Sequence, residues 1–442
     1  MSRDWLRRRL GVFDIYSLVH ADSQSTFYFV LGVIAAAAGR STFLVVLYGT
    51  ALMVAIALAY GEMGSRFPET GGSYLYVKTA FGRVAGFFSA WLLAFDQAIM
   101  VAYGSLDGVL YLASMLSYYG VEVPYLIARV LSFLVALTLF ALTLIGIKES
   151  ARAAATVAVL DILLIGVLTV LVGSVLELRT PPPYFSWGDV RPSDIWAALS
   201  YASRGYTGMD AIGQLAGEAE MPLVQVPRAT LLAAGIGTAY GLGLTALLMN
   251  SVAYSAVVSS PATALVDIAA SLPYGRLLVL PVGIVAAVIQ IMAALAGFIA
   301  FSRLIYRLAE EKLLPAAFSK LHRRYRTPYL SLILSAAISM AFLAPGEIYI
   351  IVDVYAISSL INYLMISLSL LVEVRRGDLY GAMRSPTVRG ISLVGVFGAA
   401  LTALGLALSM IIRYYEIWII GLWALAGALL LLRSKKRVGS VK

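Results

Sequence analysis

Ser17 to Tyr28 reads SLVHADSQSTFY and lies inside the first long apolar segment of the chain. Val12, Phe13 and Ile15 come before it and Phe29–Ala38 (FVLGVIAAAA) after it, all residues suited to hydrocarbon. Between them stand His20, Asp22, Ser23, Gln24, Ser25 and Thr26. Unsatisfied polar groups are costly in lipid, so such a run has to face protein or a water-filled cavity. An ionisable residue there marks a functional site by default. One alternative is an amphipathic leader over 1–26, with the span starting at Phe27. That leaves about a dozen residues before Gly39-Arg40, too few for a hydrocarbon core of roughly 30 Å. The expectation is therefore a broken first helix.

The composition sets the class. Of 442 residues, 61% are hydrophobic and 13% charged, as in an integral membrane protein and not a globular enzyme. No cysteine is present, which excludes disulfides and thiolate chemistry. The two histidines, His20 and His322, are too few for a zinc site, and no carboxylates have calcium-loop spacing. The net charge of +9 is scattered between apolar runs, so no nucleic-acid partner is expected; the partner is the lipid bilayer. The first spans lack the short apolar region and small-residue cleavage site of a removable signal peptide.

Apolar runs of about 20 residues give about twelve transmembrane helices. They fall near 12–38, 42–61, 84–112, 124–146, 153–176, 195–216, 229–256, 278–306, 329–344, 348–372, 388–412 and 415–433. Counts of eleven or thirteen are the alternatives, since the ninth run is short and parts from the tenth only at Pro345-Gly346. Lys and Arg gather on one side, in the N-terminal segment, around Arg66 to Arg83, Arg303 to Arg326, Arg375 to Arg389 and the tail from Arg433. That bias predicts cytoplasmic N- and C-termini in a multi-pass protein of the cell membrane. The sixth run, IWAALSYASRGYTGMDAIGQ (Ile195–Gln214), repeats the oddity of the first, with Ser203, Arg204, Gly205, Thr207, Gly208 and Asp210 at mid-membrane depth. Glycines loosen a helix, and an arginine there has to be paired or wet. Interrupted helices at positions one and six are what a five-plus-five inverted repeat produces, with the binding site at the breaks. The transporter core is then 1–372, its repeats about 12–176 and 195–372. Residues 373–442 add two transmembrane helices and a basic tail.

Three stretches resemble the amino acid–polyamine–organocation superfamily of transporters. GEMGSRFPETGGSYLYVKTAFGRVAGFFSAW (Gly61–Trp91) is similar to that family's E-x-G-S-x-F-P-x-x-G-G-x-Y-x-Y-x-x-x-A-F-G stretch. GMDAIGQLAGEAEMPLVQVPRA (Gly208–Ala229) resembles the end of its sixth span, with Glu218 in an acidic pair and Pro227-Arg228 opening the seventh helix. SRLIYRLAEEKLLPAAFSKLHRRYRTPYLS (Ser302–Ser331) resembles its eighth span and following loop. The resemblance implies an all-α secondary transporter of five-plus-five inverted-repeat type with two extra C-terminal helices. The implied function is cation-coupled, alternating-access transport of an amino acid or related amine. Transport of polyamines or organic cations and a non-transporting receptor of the same fold are the alternatives.

The resemblance also points to site residues. In relatives, first-span backbone N–H groups meet a substrate carboxylate; here that place reads Asp22, Ser23, Gln24, Ser25 and Thr26 and lacks the usual glycines. Asp22 is expected either to attract an ammonium group or to pair with Arg204. In the sixth span Ser203, Gly205, Tyr206 and Gly208 match the place where relatives hold the amino group, with Tyr206 as the aromatic lid. Arg204 departs from the family and is expected to hold a substrate carboxylate or to pair with Asp22, Asp96 or Asp107. Asp161 stands where many members carry a lysine. The readings left open are a sodium site at Asp161 and Ser302, a proton on Asp161, or an ion pair with Arg204. No cofactor is expected beyond that coupling ion, sodium or proton. Asp96, Gln97, Asp107, Gln290, Asp353 and Asn362 are further intramembrane polar groups without an assigned role. Tyr118, Tyr119, Trp187, Trp196, Trp418 and Trp423 are expected as interface anchors.

Overall fold

The computed structural model describes residues 10–67, 69, 71–145, 147–175, 191–204, 208–249, 253–259, 263–377 and 381–439; the side chains of Thr26 and Arg204 also lie outside the described set. The chain is a bundle of helices. In order they are α1 (Val12–Ala38), α2 (Thr42–Gly64), α3 (Gly72–Phe81), α4 (Arg83–Tyr118), α5 (Tyr125–Ile145) and α6 (Ile147–Ser174). Next come α7 (Pro192–Arg204), α8 (Asp210–Gln214), α9 (Pro222–Leu248), α10 (Ala253–Ser259), α11 (Ala264–Ser271) and α12 (Gly275–Glu310). The last are α13 (Tyr329–Leu343), α14 (Ile348–Arg376), α15 (Leu393–Ile412) and α16 (Ile417–Gly439). Among the described residues nine stretches are long and apolar enough to cross a membrane, the first of which, Val12–Gly64, takes in both α1 and α2. Helices α7 and α13, with 13 and 15 residues, are shorter than a full span.

The first helix is not broken, contrary to the expectation. It runs continuously over 27 residues. No glycine or proline occurs between Val12 and Leu31, so nothing in the backbone favours a stop. The hydroxyls return to the helix itself: Ser17 donates to the Phe13 carbonyl at 2.6 Å, Ser23 to His20 at 3.3 Å and Ser25 to Asp22 at 2.9 Å. Such back-bonds satisfy the side chain without removing the main-chain ladder. The sixth span is interrupted as expected. Helix α7 ends at Arg204, α8 begins at Asp210, and Gly208 between them has φ +99°, a conformation that suits glycine. The opening of α9 also differs from the reading. Pro222 takes the first helical position, where its missing N–H costs nothing, and Pro227 lies inside the helix.

At the centre α4 and α12, 36 residues each, pack side by side. Small residues let their backbones approach: a Cβ on Gly297 would stand 2.7 Å from the Gln97 carbonyl, and one on Gly108 2.9 Å from that of Ala287. Helix α1 lies against α12, α6, α9 and α7, so its polar turn is enclosed on every side. Trp423, expected at the interface, instead stacks on Trp91 with ring centroids 4.3 Å apart, and each indole N–H donates to the other's carbonyl at 2.8 Å. Trp196, Trp418, Tyr118 and Tyr119 are exposed, consistent with anchors, and Trp187 lies outside the described residues.

Candidate functional site

The break between α7 and α8 lies against the middle of α1. A Cβ on Gly208 would stand 2.8 Å from Asp22 Cγ and 3.0 Å from the Ser23 nitrogen, so only glycine fits there. Asp210 opens α8 two residues later. Its Oδ1 accepts from the Tyr363 hydroxyl at 2.8 Å and its Oδ2 from Gln97 Nε2 at 2.8 Å. The same amide nitrogen donates to Asp96 Oδ2 at 3.1 Å, and Ser359 donates to Asp96 Oδ1 at 2.6 Å. Tyr363 in turn accepts the Gly208 N–H at 3.0 Å, while Tyr355 donates to Asp22 Oδ1 at 3.4 Å. Asp22, Asp96, Gln97 and Asp210 are all buried, and the three carboxylates are near enough to act on one another's charge. Gln97 Oε1 has no hydrogen-bond partner among the described residues. Four elements, α1, α4, α8 and α14, thus converge on a site rich in acceptors. Among the described residues no three His, Asp or Glu groups are arranged to hold a metal ion.

A second buried cluster joins α1 to α6. His20 Nε2 lies 2.9 Å from Asp161 Oδ2, and the Tyr28 hydroxyl donates to Asp161 Oδ1. His20 Nδ1 is 2.8 Å from the Tyr16 hydroxyl. A carboxylate only accepts, so Nε2 carries a proton; a neutral ring then accepts from Tyr16 at Nδ1. Tyr240 of α9 stands beside the cluster, donating to the Ile162 carbonyl at 3.0 Å.

Sequence reasoning and structure agree in part on these residues. Asp22, Ser23 and Gly208 are brought together. Ser25 lies on the same helix one turn on, and its carbonyl accepts from Gln290 Nε2 at 3.0 Å. Ser203 turns away: its hydroxyl donates to the Leu199 carbonyl at 2.8 Å and is 3.0 Å from Tyr48, facing α15 at Gly405. Gln24 faces α9 near Gly237. Gly205, Tyr206 and the side chains of Arg204 and Thr26 lie outside the described residues. Asp161 and Ser302 have different partners, since the Ser302 hydroxyl donates to Ile299 at 2.9 Å and accepts from Arg303 at 2.9 Å. Along the chain Asp96, Gln97 and Asp210 stand out only as polar groups inside spans. The cost of a carboxylate in an apolar helix is the signal that marks them; that they share one amide is not visible along the chain.

One end of the bundle is closed by charge. Leu10, before α1, pairs with Ala219, after α8, through Leu10 N–H to the Glu218 carbonyl at 3.1 Å and Glu220 N–H to the Leu10 carbonyl at 3.2 Å. Glu218 is also held by Arg303 at 2.9 Å, and both are buried. Nearby Arg307 meets Glu69 at 2.8 Å and Glu311 at 3.2 Å, and Lys78 of α3 meets Glu311 at 2.9 Å. Partial burial works to raise the Glu311 carboxyl, but Lys78 and then Arg307 outweigh it and hold it below the usual range.

The family model described as amino acid permease matches residues 10–420. The chain belongs to the amino acid permease family. It is a multi-pass membrane transporter of the amino acid–polyamine–organocation superfamily, not an enzyme. The branched-chain amino acid permease BcaP of Bacillus subtilis (strain 168) is 22% identical over 439 residues, 94% of this chain and 92% of that protein. The glutamate/serine transporter AimA of the same organism is 23% identical over 439 residues, 93% of this chain and 78% of its own length. The chloroplastic cationic amino acid transporter 9 of Arabidopsis thaliana is 27% identical over 341 residues, 73% and 58% of the two chains. These relatives support amino acid transport by the permease and differ in the side chain their names imply.

Proposed function

We propose that the permease is a secondary active transporter of an amino acid or related amine, working by cation-coupled alternating access in the cell membrane with both termini cytoplasmic. In this reading the helices form twelve spans, two inverted five-helix repeats followed by α15 and α16. The observation that carries the substrate class is the acceptor-rich site of Asp22, Asp96, Asp210 and the unpaired Gln97 Oε1. An ammonium group brings three donors and a positive charge, which is what such a set lacks. Arg204, at the end of α7, would meet the substrate carboxylate. A polyamine or other organic cation is the second reading, favoured because three carboxyl groups offer acceptors for more than one amine.

For the coupling ion the partners of Asp161 favour a proton. Both its oxygens already accept hydrogen bonds, from His20 and Tyr28, which a sodium ion shared with Ser302 would have to displace. The hydrogen-bonded chain Tyr16–His20–Asp161 would serve as the relay.

Uptake of labelled amino acids and diamines into proteoliposomes tests the reading. Saturable uptake driven by a pH gradient, lost in Asp210→Asn, is the expected result. Amino acids outcompeted by diamines would move the substrate to the second reading. Uptake indifferent to Asp210→Asn, or confined to solutes without an amine, would sink the amine assignment.

A further inference from the structure

We propose that the permease has a separate binding site for a small monovalent metal cation, sodium being the probe, at the junction of α1, α4 and α12, with Asp107 and Gln290 as its side-chain ligands. Asp107 is fully buried on α4 one turn from Tyr103 and Tyr111, whose hydroxyls reach the Ser25 and Tyr28 carbonyls of α1, beside the row that carries Gly104 and Gly108. That row meets α12 closely: a Cβ on Gly104 would stand 2.9 Å from the Ala294 nitrogen, and one on Gly108 3.4 Å from Gln290 Cβ. Asp107 and Gln290 therefore enter the same seam from opposite sides. The Ser25 carbonyl of α1 closes the third side.

The hydrogen bonds there do not balance. Asp107 Oδ2 receives only a long contact, 3.4 Å from the Tyr103 hydroxyl, and that hydroxyl is also 3.4 Å from the Ser25 carbonyl. One O–H cannot serve both in full. Asp107 Oδ1 has no partner among the described residues, and neither has Gln290 Oε1. The amide orientation is settled by Gln290 Nε2, which donates to the Ser25 carbonyl at 3.0 Å; the reverse orientation would set two acceptors against each other. Two orphaned acceptor oxygens on two helices, one of them a carboxyl oxygen, lack a donor or a cation.

The surroundings do not supply one. Among the described residues no Lys, Arg or His pairs with Asp107. The titratable groups facing it are Tyr103 and Tyr111 of α4, with Tyr28 of α1 and Asp267 of α11 beside Tyr111. A water molecule would satisfy the hydrogen bonds but would bring no counter-charge to an ionised Asp107, and an unpaired carboxylate is the costly state in the membrane interior. Carboxylate, amide, carbonyl and phenol oxygens are hard donors, suited to a hard cation and not to a soft metal. A single carboxylate matches a single positive charge. The site is distinct from the one built on Gln97, about 15 Å further along α4 at 1.5 Å per residue. It goes beyond the proposed transport function, because the ion can be bound with no substrate present.

Equilibrium binding of labelled sodium to the purified full-length protein, with choline keeping the ionic strength, reads the site directly. One saturable sodium per chain is expected, accompanied by a rise in Tm with sodium but not choline. Asp107→Asn should raise the half-saturating sodium concentration about tenfold or more, since a charged ligand is replaced by a neutral one of the same shape. Tyr103→Phe should weaken binding by less, and Glu311→Gln should bind as the unaltered protein does. Absence of saturable sodium binding in the unaltered protein overturns the proposal whether or not the variants fold, and leaves the seam to water. So does an Asp107→Asn variant that binds sodium with unchanged affinity. Neither result bears on amine uptake, so failure here is distinguishable from failure of the transport reading.

Discussion

Helix α1 and the α7–α8 pair carry similar loads of polar residues in the middle of the bundle, yet one is continuous and the other stops. In α1 the serines bond back to carbonyls three or four residues earlier, and Asp22, His20 and the Ser25 carbonyl find partners on other helices. In the sixth span Gly208 adopts φ +99° and its N–H leaves the helix for the Tyr363 hydroxyl. Polarity therefore does not break a membrane helix. A backbone that can turn left-handed, with a hydrogen-bond partner waiting outside the helix, does. The two regions are complementary, since the missing side chain of Gly208 leaves room for the carboxylate of Asp22.

Substitutions can break or sharpen this contrast. The two regions are tied at one end by Leu10 and Glu218, and Glu218→Ala would leave Arg303 buried without its partner. A loss of about 3–5 kcal/mol is expected, read by denaturation of the purified protein; a near-neutral result would mean that the Glu218–Arg303 pair does not hold this end to α12. Gly208→Ala comes next. Its Cβ would press on Asp22 and Ser23 at an unfavourable φ, costing about 2–3 kcal/mol and most of the amine binding. Unchanged ligand-induced thermal shifts in that variant would show that the break is not where the ligand sits.

Asp161→Ala removes the acceptor for both His20 and Tyr28 and is expected to cost about 2 kcal/mol. Its sharper readout is uptake that no longer responds to a pH gradient, whereas a purely structural Asp161 would leave that response intact in the folded fraction. Ser23→Ala in α1 should change stability by less than about 1 kcal/mol, with unaltered helical circular dichroism. A larger loss would mean that its hydroxyl does more than bond back to its own helix.

The smallest effect concerns the charged closure. The Glu311 carboxyl is held below the ordinary glutamate value of 4.5, so its contribution is present above that pH and declines as pH falls through the lowered value. Being partly exposed, it contributes little and is screened by salt. Glu311→Gln should flatten the acid limb of the stability profile slightly; an acid limb identical in the two proteins would remove Glu311 from the closure.

Much of this was legible along the chain. The apolar runs, the interruption at Arg204–Asp210 and the three family-like stretches all come from periodicity, glycine and local order. The break assigned to α1 was wrong because a count of polar residues does not say where their hydrogen bonds go. Ser203 was misplaced for a related reason: it shares a span with Gly208 but faces α15, and its direction depends on a helix two hundred residues away.

By itself the sequence determined the membrane class, the approximate spans and the cost of each intramembrane carboxylate, because these follow from local composition and from the absence of water in hydrocarbon. Tertiary structure alone decided which carboxylates meet. Gln97 joins Asp96 to Asp210, His20 meets Asp161, and Gln290 reaches the Ser25 carbonyl through the packing of α4 on α12 and of α1 against both. Hydrogen bonds between helices are set by crossing geometry and close approach at small residues, and no spacing along the chain encodes them.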